Sequence, residues 1–343
     1  MLTRDLDYDL PEELIAQRPA EPRDASRLMV VDVASGSISH HGFRELPGFL
    51  LPDDRLVLNE TRVVPARVQA RKATGGEVEL LFLRETGEGN GRRRGIWEVL
   101  ARPGRRLRPG LVLSAGDREV EVVERLDGGR WLVGVEDAPA LMRETGHLPL
   151  PPDIRPTTEA EAAYQTVYAE RPGSVAAPTA GLHFTDGVLE AVEARGVGVS
   201  RVTLDVGMGT FSPVRSETVE EHGIHAERYR VPEATARAVG EADRVVAVGT
   251  TVARTLESWA ATGLREGESS LFIYPGYRWR TVDTLLTNLH APRSTLLAMV
   301  MSFAGEALIR TAYRTAVEER YRFHSFGDAM LLVGGGRSVR GPR

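Results

Sequence analysis

Short apolar strands alternate with helices from Ala160 onward, and this alternation constrains the fold more than any other feature of the chain. Strands are predicted at residues 199–206, 244–248, 270–274 and 285–287, and helices at 252–260, 294–303 and 306–320. Such alternation favours a parallel or mixed sheet with helices packed on it. Ligands of these sheets bind beyond the carboxyl ends of the strands.

The segment between residues 67 and 146 has a different pattern of apolar and polar residues. Short apolar or alternating runs at 78–83, 97–101, 119–123 and 131–135 are separated by turns rich in Gly and Asp. This spacing predicts a small antiparallel barrel or sandwich. Strand and helix signals also precede it, with a short helix predicted at 11–17 and strands at 27–33 and 54–58.

The predicted fold class is therefore α/β, with several domains: a mixed or parallel sheet with helices, plus an inserted small antiparallel β-barrel. The α/β domain is discontinuous, over 1–66 and 148–333, and the barrel covers 67–147. Two domains are the natural expectation for 343 residues. Residues 334–343, rich in Gly and Arg, are expected to form a disordered tail.

The composition excludes several classes of site. The chain has no cysteine, which rules out disulfides, thiolate metal sites and a cysteine nucleophile. The first residues lack the apolar core of a signal peptide, and no apolar run is long enough to span a bilayer. We therefore expect a cytoplasmic protein without a membrane partner. Paired-glycine dinucleotide fingerprints, Walker loops and Gly-x-Ser-x-Gly elbows are absent from the sequence.

The net charge of −5 argues against an overall basic nucleic-acid groove, although a local patch can still bind phosphates. Arg92, Arg93 and Arg94, beside Gly89-Asn90-Gly91, are interpreted as a solvated loop. The second basic group lies in a turn predicted at 102–110. It is the stronger phosphate-contact candidate and comprises Arg102, Arg105, Arg106 and Arg108.

The run from Ser174 to Thr185 places Thr179, Ala180, Gly181 and His183 among small residues ahead of a predicted helix. Small residues let a backbone approach a ligand, and a helix start presents free N–H groups. His183 could transfer a proton there near neutral pH. The alternative interpretation is a buried turn with a hydrogen-bonded core histidine, and the run by itself does not separate the two.

Four polar junctions between strands and loops fall in the second half of the chain, at residues 205–211, 249–251, 287–292 and 326–330. The second contains Thr250 and Thr251, which suit an anion or ribose, although for Thr250 alone an ordinary helix cap is the preferred interpretation. Each junction is a weak signal alone. The predicted sheet would gather them at one edge, which makes the set a stronger signal.

The segment Glu221-His222-Gly223-Ile224-His225-Ala226-Glu227 contains residue types that bind zinc or iron. Its spacing does not match the helical zinc pattern with histidines four residues apart. We therefore expect no metal and favour a hydrogen-bonding or proton-transfer role for this segment.

Taken together, these blocks resemble the S-adenosylmethionine:tRNA ribosyltransferase-isomerase family of queuosine biosynthesis over nearly the whole chain. The 176–184 run carries the most specific part of the resemblance. The other blocks are Tyr8-Asp9-Leu10-Pro11, Leu14-Ile15-Ala16, 59–63, 65–67, 146–152, Tyr164-Gln165-Thr166-Val167-Tyr168, 207–211, His222-x-x-His225, 249–251, 272–276, Thr287-Asn288 and 321–330.

The resemblance implies an α/β domain interrupted by a small barrel, in agreement with the pattern described above. It also implies transfer of the ribosyl group of S-adenosylmethionine to an aminomethyl-deazaguanine at the tRNA wobble position. Epoxyqueuosine forms, and adenine and methionine leave. S-adenosylmethionine would be a consumed substrate, tRNA the second partner, and no cofactor is expected. We expect a monomer, with a dimer left open.

We assign hypothetical roles within this reaction by residue type. His183 leads as acid or base, with His225 or His222 second, and Asp328 and Glu227 are candidates to hold an amine or the methionine ammonium. Arg254 would pair with the methionine carboxylate. The remaining residues predicted to bind S-adenosylmethionine or the base are Thr179, Ala180, Gly181, Gly207, Gly209, Thr210, Thr250, Thr251 and Asn288.

Several positions depart from the family pattern, and they put the acceptor in doubt more than the reaction type. They are Glu60, Asp205, Ala226, Val252, Ala253 and Leu289. One alternative is a paralogue that ribosylates a free deazapurine or another amine. A second is a non-catalytic tRNA-binding protein on the same fold.

Overall fold

The strands fall into two sets that belong to separate units of the chain. The computed structural model describes residues 1–88, 95–207, 214–224 and 226–337. The main unit comprises Met1–Arg62 and Pro151–Arg343, and the barrel unit comprises Val63–Leu150. The barrel unit extends slightly beyond the expected 67–147, because the flanking residues bond to its strands: Phe82 N donates to Ala66 O, and Arg67 donates to Leu150 O.

The main unit is built on one mixed sheet of nine described strands. Parallel pairs join β13 to β3, β3 to β15, β15 to β17, and β18 to β1, whereas the other neighbours are antiparallel. The strands in spatial order are β16 (Glu266–Ser269), β14 (Glu227–Arg230), β13 (Gly198–Leu204), β3 (Arg55–Asn59), β15 (Val245–Val248), β17 (Thr284–Asn288), β18 (Ala329–Val333), β1 (Arg27–Asp32) and β2 (Ile38–Gly42).

Helices and turns cover both faces of this sheet, which explains why consecutive apolar residues occur in its central strands, at 56–58 and 245–248. Successive side chains alternate between two cores: Val57 packs with residues of the helices Thr250–Thr262 and Thr295–Ala304, whereas Leu56 and Leu58 pack with Phe43 and Val188. The helices of the main unit are α2 (Thr158–Ala163), α3 (Asp186–Glu193), α4 (Glu233–Glu241), α5 (Thr250–Thr262), α6 (Thr295–Ala304) and α7 (Glu306–Glu318), with short 3-10 helices at Thr3–Leu6, Glu12–Leu14, Arg23–Ala25, Phe43–Phe49, Thr179–Gly181 and Val219–Glu221.

The barrel unit is a closed antiparallel barrel. Its order is β5-β6-β7-β10-β9-β8, and a pairing between β8 and β5 closes the ring, with β11 added beside β5. The elements are β5 (Arg67–Lys72), β6 (Glu77–Glu88), β7 (Gly95–Arg102), β8 (Val112–Ala115), β9 (Arg118–Arg125), β10 (Arg130–Val135), α1 (Ala138–Thr145) and β11 (Gly146–His147). Two further short strands of the chain are β4 (Thr61–Val63) and β12 (Arg171–Ser174). The predicted fold class, α/β with an inserted antiparallel barrel, is confirmed.

The strand predicted at 270–274 is wrong, because the strand lies immediately before it, at Glu266–Ser269 (β16). β16 is an edge strand whose sequence is mostly polar. Cross-strand ion pairs join it to β14, with Arg230 Nε 2.8 Å from Glu266 Oε1. The apolar residues that suggested a strand, Leu271 to Ile273, pack against the main core instead.

Two terminal predictions also need correction. The helix predicted at 11–17 is only the 3-10 turn Glu12–Leu14, because the chain then becomes extended and Ile15 pairs with Phe323. The tail predicted to start at residue 334 is ordered as far as Arg337, whose guanidinium lies 2.5 Å from a carboxylate oxygen of Asp283. Residues 338–343 lie outside the described residues.

In the described ranges no helix is by itself long and apolar enough to cross a membrane. Only α6 and α7 taken together reach the required length and composition, and the pair is bent by 118°.

Gly146→Ala should destabilise the barrel unit, because a Cβ there would overlap the carbonyl oxygens of Pro65 and Met142. Backbone atoms cannot rotate away as side chains do, so we expect a loss of about 1–3 kcal/mol, measured by urea unfolding and by hydrogen exchange of barrel amides. Gly87→Ala is the matched control, since Gly87 is exposed on β6 with nothing within 4 Å of a Cβ. Equal stability of the two variants would contradict the packing argument.

Candidate active site

The polar junctions, the first of them described only as far as Gly207, meet at one edge of the main sheet, as the alternation of strands and helices predicts. In the parallel ladder Asn59 pairs with Val202, and Leu286 pairs with Val248, so β3, β13, β15 and β17 end at the same side. β18 runs the other way and begins there, with Ala329 opposite Asn288. This shared edge is the position at which α/β sheets bind ligands.

A small cleft, with a cavity volume of about 20 Å³, lies at this edge, at the start of α5. We call it the α5 cleft. It brings together four residues predicted to bind substrate, Glu227, Thr250, Thr251 and Arg254. Its other lining residues are Ile224, Leu271, Phe272, Ile273, Thr295, Leu296 and Met299. The apolar 271–273 segment, displaced from the predicted strand, thus forms one wall of the cleft.

Glu227 and Arg254 form a buried ion pair in the α5 cleft. Glu227 Oε2 lies 2.6 Å from Arg254 Nη2, and both side chains are less than a tenth exposed. Gly207 N donates to Glu227 Oε1 at 2.7 Å, and Arg254 donates to Ser269 O at 3.2 Å. Burial lowers the pKa of Arg254, while the Glu227 charge opposes that shift. The two residues were predicted to hold separate charged groups, and the structure makes each the partner of the other.

Thr250 and Thr251 form the first turn of α5 and are buried against the cleft. The residue before them, Gly249, has no side chain to cap the helix, so the first-turn N–H groups lack a side-chain partner from the cap. The amide of Asn59, at the end of β3, contacts Thr251 Oγ1 at 3.4 Å and donates to Leu204 O at 3.1 Å. Three strand ends therefore hold this helix start in place.

The small-residue run forms the 3-10 turn Thr179–Gly181, with Ala180 against Gly249. Tyr168 packs closely against Gly181, because a Cβ on Gly181 would overlap the Tyr168 hydroxyl. Tyr168 is thus a residue that sequence reasoning did not assign to the site. The helix expected after the run is confirmed as α3, which starts at Asp186, and Thr185 caps it by accepting from Val188 N.

His183 is buried, and both ring nitrogens are engaged. Nδ1 lies 2.8 Å from Ser26 Oγ, and Nε2 lies 3.2 Å from Asn288 Nδ2. Its ring stacks on Phe43 at 5.0 Å. Burial, aided by the charge of Arg322, lowers the pKa of His183 to about 3. This geometry favours the second interpretation of the sequence run, a neutral hydrogen-bonded histidine, over an acid or base.

Asp328 has partners that give it a structural role. Oδ1 accepts from Arg27 N at 3.0 Å, and Oδ2 accepts from Arg322 N at 2.8 Å. The carboxylate is almost fully buried and also faces the Arg322 guanidinium at 3.5 Å. Both oxygens therefore organise the chain around β1 and β18, and this does not support the predicted contact with a substrate amine.

Of the two histidines in the segment 221–227, the structure describes only His222. His222 is half-buried and meets the ring of Phe272, a cleft residue, edge to face at 5.8 Å. His225, Gly209 and Thr210 lie outside the described residues. Within the described part of the chain no group of three or more His, Cys, Asp or Glu side chains is arranged to hold a metal ion.

A further histidine was missed by sequence reasoning. His324 Nδ1 lies 2.7 Å from Asp153 Oδ2, and the backbone of His324 has a positive φ of 68°. Its carbonyl accepts from Asn288 Nδ2 at 3.3 Å, which places it beside the junction at the end of β17. Histidine in this left-handed conformation is uncommon, but nothing in the sequence marks it in advance.

The positions that depart from the family pattern are mostly structural. Glu60 is buried and accepts from Arg171 Nε at 2.8 Å. Asp205 accepts from Thr61 Oγ1 at 3.2 Å, and burial raises its pKa. The remaining departures are three buried residues, Val252, Ala253 and Leu289, and the exposed Ala226.

The predicted basic turn is present in the barrel unit. Leu107 is buried and anchors the turn, while its four arginines are exposed. None of the four forms an ion pair with a carboxylate in the described part of the chain. They are Arg102, Arg105, Arg106 and Arg108.

Comparison with known proteins agrees with this fold. The family model described as queuosine biosynthesis protein matches residues 3–332. The chain belongs to this family, which is a family of enzymes.

Relatives within the family carry one name. An S-adenosylmethionine:tRNA ribosyltransferase-isomerase from Rubrobacter xylanophilus is 68% identical over 99% of this chain and all of its own length. One from Symbiobacterium thermophilum is 51% identical over 97% of this chain and all of its own length. The crystal structure of an S-adenosylmethionine tRNA ribosyltransferase from Thermotoga maritima matches at a TM-score of 0.56 and 38% identity, and covers 96% of this chain and all of that chain.

The neutral state of His183 predicts acid sensitivity of the fold. A histidine is protonated below about 6.5 when unfolded, but the pKa of His183 in the folded chain is about 3. Between these values only the unfolded state binds the proton, so stability falls as the pH falls, by up to about 1.4 kcal/mol per pH unit. His183→Gln should make urea unfolding less dependent on pH between 6 and 4. Substitution of the exposed His147 by Gln is the control. An unchanged dependence of the unfolding free energy on pH in His183→Gln would refute the assignment of a neutral, buried His183.

Proposed function

We propose that this chain transfers and isomerises the ribosyl group of S-adenosylmethionine onto the aminomethyl-deazaguanine at the tRNA wobble position. The products would be epoxyqueuosine in tRNA, adenine and methionine, and S-adenosylmethionine would be consumed rather than act as a cofactor. The observation that carries the proposal is the α5 cleft, with its carboxylate, guanidinium and helix start, in a chain whose relatives bear this enzyme's name.

The α5 cleft offers complementary groups for the methionine end of the substrate. A zwitterionic amino acid carries a carboxylate and an ammonium, and the paired Arg254 and Glu227 present the opposite charges side by side. Thr250 and Thr251 add hydroxyls and N–H groups at a positive helix end, which suit a carboxylate or a ribose. The apolar wall of Phe272, Ile273 and Met299 excludes water from the sulfonium.

The reaction needs a proton acceptor near the ribose. A base takes a proton from the ribose carbon bonded to sulfur, and adenine gains a proton as its bond to ribose breaks. The amine of the tRNA base bonds to the ribosyl group and gives up a proton, the carbon–sulfur bond breaks, and methionine leaves as a neutral thioether. His222 is our candidate for one proton transfer, because it contacts the cleft residue Phe272. His225 remains a candidate from the sequence. Holding the amine of the tRNA base close to the ribose supplies the remaining catalytic requirement.

The basic turn of the barrel unit is our candidate for the tRNA contact. Its four arginines are exposed, and guanidinium groups bind phosphates in a bidentate fashion. A local patch of this kind reconciles a net charge of −5 with a nucleic-acid substrate.

The decisive experiment incubates the protein with S-adenosylmethionine and tRNA carrying the aminomethyl-deazaguanine, and follows adenine release and tRNA mass. We expect adenine release coupled one to one with a ribosyl-derived mass gain. Folded protein that binds S-adenosylmethionine but leaves this tRNA unchanged would point to a paralogue with another acceptor. Adenine release would exclude a protein that only binds tRNA.

The double variant Arg105→Gln and Arg106→Gln should weaken tRNA binding and leave S-adenosylmethionine binding unchanged. Each lost phosphate contact should lower the slope of log affinity against log salt by about 1. Arg71→Gln is the matched control, because Arg71 is also exposed in the barrel unit but is paired with Glu77. Salt slopes that are identical for the double variant and the wild type would exclude this turn as the tRNA contact.

A further inference from the structure

Ser26, His183 and Asn288 form a continuous buried chain of hydrogen bonds. The side-chain amide of Asn288 donates through Nδ2 to His183 Nε2 at 3.2 Å and to His324 O at 3.3 Å. The second acceptor is a carbonyl, which can only accept, so it fixes the orientation of the Asn288 amide. Since His183 Nε2 accepts, the ring proton is on Nδ1 and is donated to Ser26 Oγ, 2.8 Å away.

This orientation leaves the side-chain oxygen of Asn288, Oδ1, without a hydrogen-bond donor. Oδ1 is buried and has no hydrogen-bond partner, and Asn288 as a whole is only 2% exposed. A buried polar atom without a partner costs about 1–3 kcal/mol. Native structures rarely accept that cost without a reason, which is often a ligand or a catalytic role.

Asn288 lies at the place where a substrate is expected. It is the last residue of β17, at the edge where the parallel strands end. Two residues earlier, Leu286 O accepts from Gly249 N at 2.7 Å, and Gly249 is the residue from which α5 and its cleft begin. The orphaned oxygen and the α5 cleft therefore belong to the same edge of the sheet.

We propose that Asn288 Oδ1 accepts a hydrogen bond from an N–H donor of the substrate, and that His183 is a positioning residue that acts through Asn288. The assignment rests on the proposed function, in which two substrates carry such a donor. One is the exocyclic amino group of adenine in S-adenosylmethionine, and the other is the amine-bearing deazaguanine of tRNA. Ser26 completes the chain by fixing the tautomer of His183.

The first experiment measures S-adenosylmethionine affinity by calorimetry for wild type and Asn288→Ala, with an analogue that has hydrogen in place of the adenine amino group. If adenine is the donor, Asn288→Ala should weaken S-adenosylmethionine binding roughly 3- to 10-fold. Wild type should lose a similar factor with the analogue, and Asn288→Ala should no longer discriminate between the two ligands.

The tRNA arm distinguishes the second source of the donor. Unchanged S-adenosylmethionine affinity, with a KM for the modified tRNA raised by the same factor in Asn288→Ala, would support the assignment with the deazaguanine as donor. Unchanged values in both arms, from a folded variant, would overturn it.

The second experiment separates positioning from acid or base catalysis at His183. His183→Gln retains an acceptor for the Asn288 amide and should keep most of the affinity and kcat, whereas His183→Leu should weaken binding as Asn288→Ala does. The pH profile of kcat should not shift in either variant. A loss of roughly 100-fold or more in kcat for both variants is the result expected of an acid or base and would refute the positioning role.

Two controls keep the outcomes interpretable. His290→Gln alters another buried histidine, in the segment that follows β17, bonded to Thr287 rather than to Asn288, and should leave ligand discrimination intact. Ser26→Ala perturbs the far end of the chain of bonds with little change in volume, so it tests the same proposal if Asn288→Ala does not fold.

Wild type that neither binds S-adenosylmethionine nor releases adenine would contradict the proposed function. Wild type that does both, beside unaffected Asn288 and His183 variants, would contradict this assignment alone.

Discussion

Burial of the central strands on both faces is the constraint on which the main unit depends. Two separate cores meet on β3, β15 and β17, which explains the apolar residues at 56–58, 245–248 and 285–286. Leu56 and Val57 face opposite sides of the sheet. Strands covered in this way can present polar groups only where they end. The candidate site is therefore confined to the edge at which Asn59, Gly249 and Asn288 lie, and helix α5 starts from that edge.

Two buried polar arrangements at this edge differ in how completely they are satisfied. Glu227 and Arg254 hold each other in an ion pair, and removing either partner would leave a buried charge. The hydrogen-bond network from Ser26 through His183 to Asn288 ends instead on Asn288 Oδ1, which has no hydrogen-bond partner. The ion pair stabilises the edge in the absence of substrate. The hydrogen-bond network, by contrast, is complete only when a group from outside the protein donates to Asn288 Oδ1. The two together describe a site that is preformed but incomplete.

The fold could be predicted from sequence wherever a strand or helix buries a regular apolar pattern. β15, α5 and α6 were located in this way, and so was the edge that unites the polar junctions. The prediction failed at β16, since a polar edge strand is specified by ion pairs with β14 rather than by burial. It also failed at the tail, where Arg337 is held by Asp283, a partner distant in sequence.

Prediction of the site was limited by a different factor. Residue type alone nominated Glu227, Arg254 and the two threonines, which the structure does bring together. The state of His183 could not be deduced, because it depends on burial and on Ser26 and Asn288, which only the tertiary fold supplies. The partners of Asp328 could not be deduced for the same reason, since its oxygens bond to backbone N–H groups that are far apart in sequence.

The order of strands also sets the order in which the chain can fold as it is synthesised. Every strand of the barrel unit is available once Leu150 has been made, and its neighbours are close in sequence. β1 has no parallel neighbour until β18 emerges, because Leu28 pairs with Ala329, and β3 waits for β13 and β15. Long-range parallel pairing of this kind is slow and leaves apolar edges unpaired. On the ribosome, all strands of the inserted barrel are therefore available while the sheet that surrounds it in sequence is still open, and the candidate site at the edge of that sheet is completed only after β18 has been made.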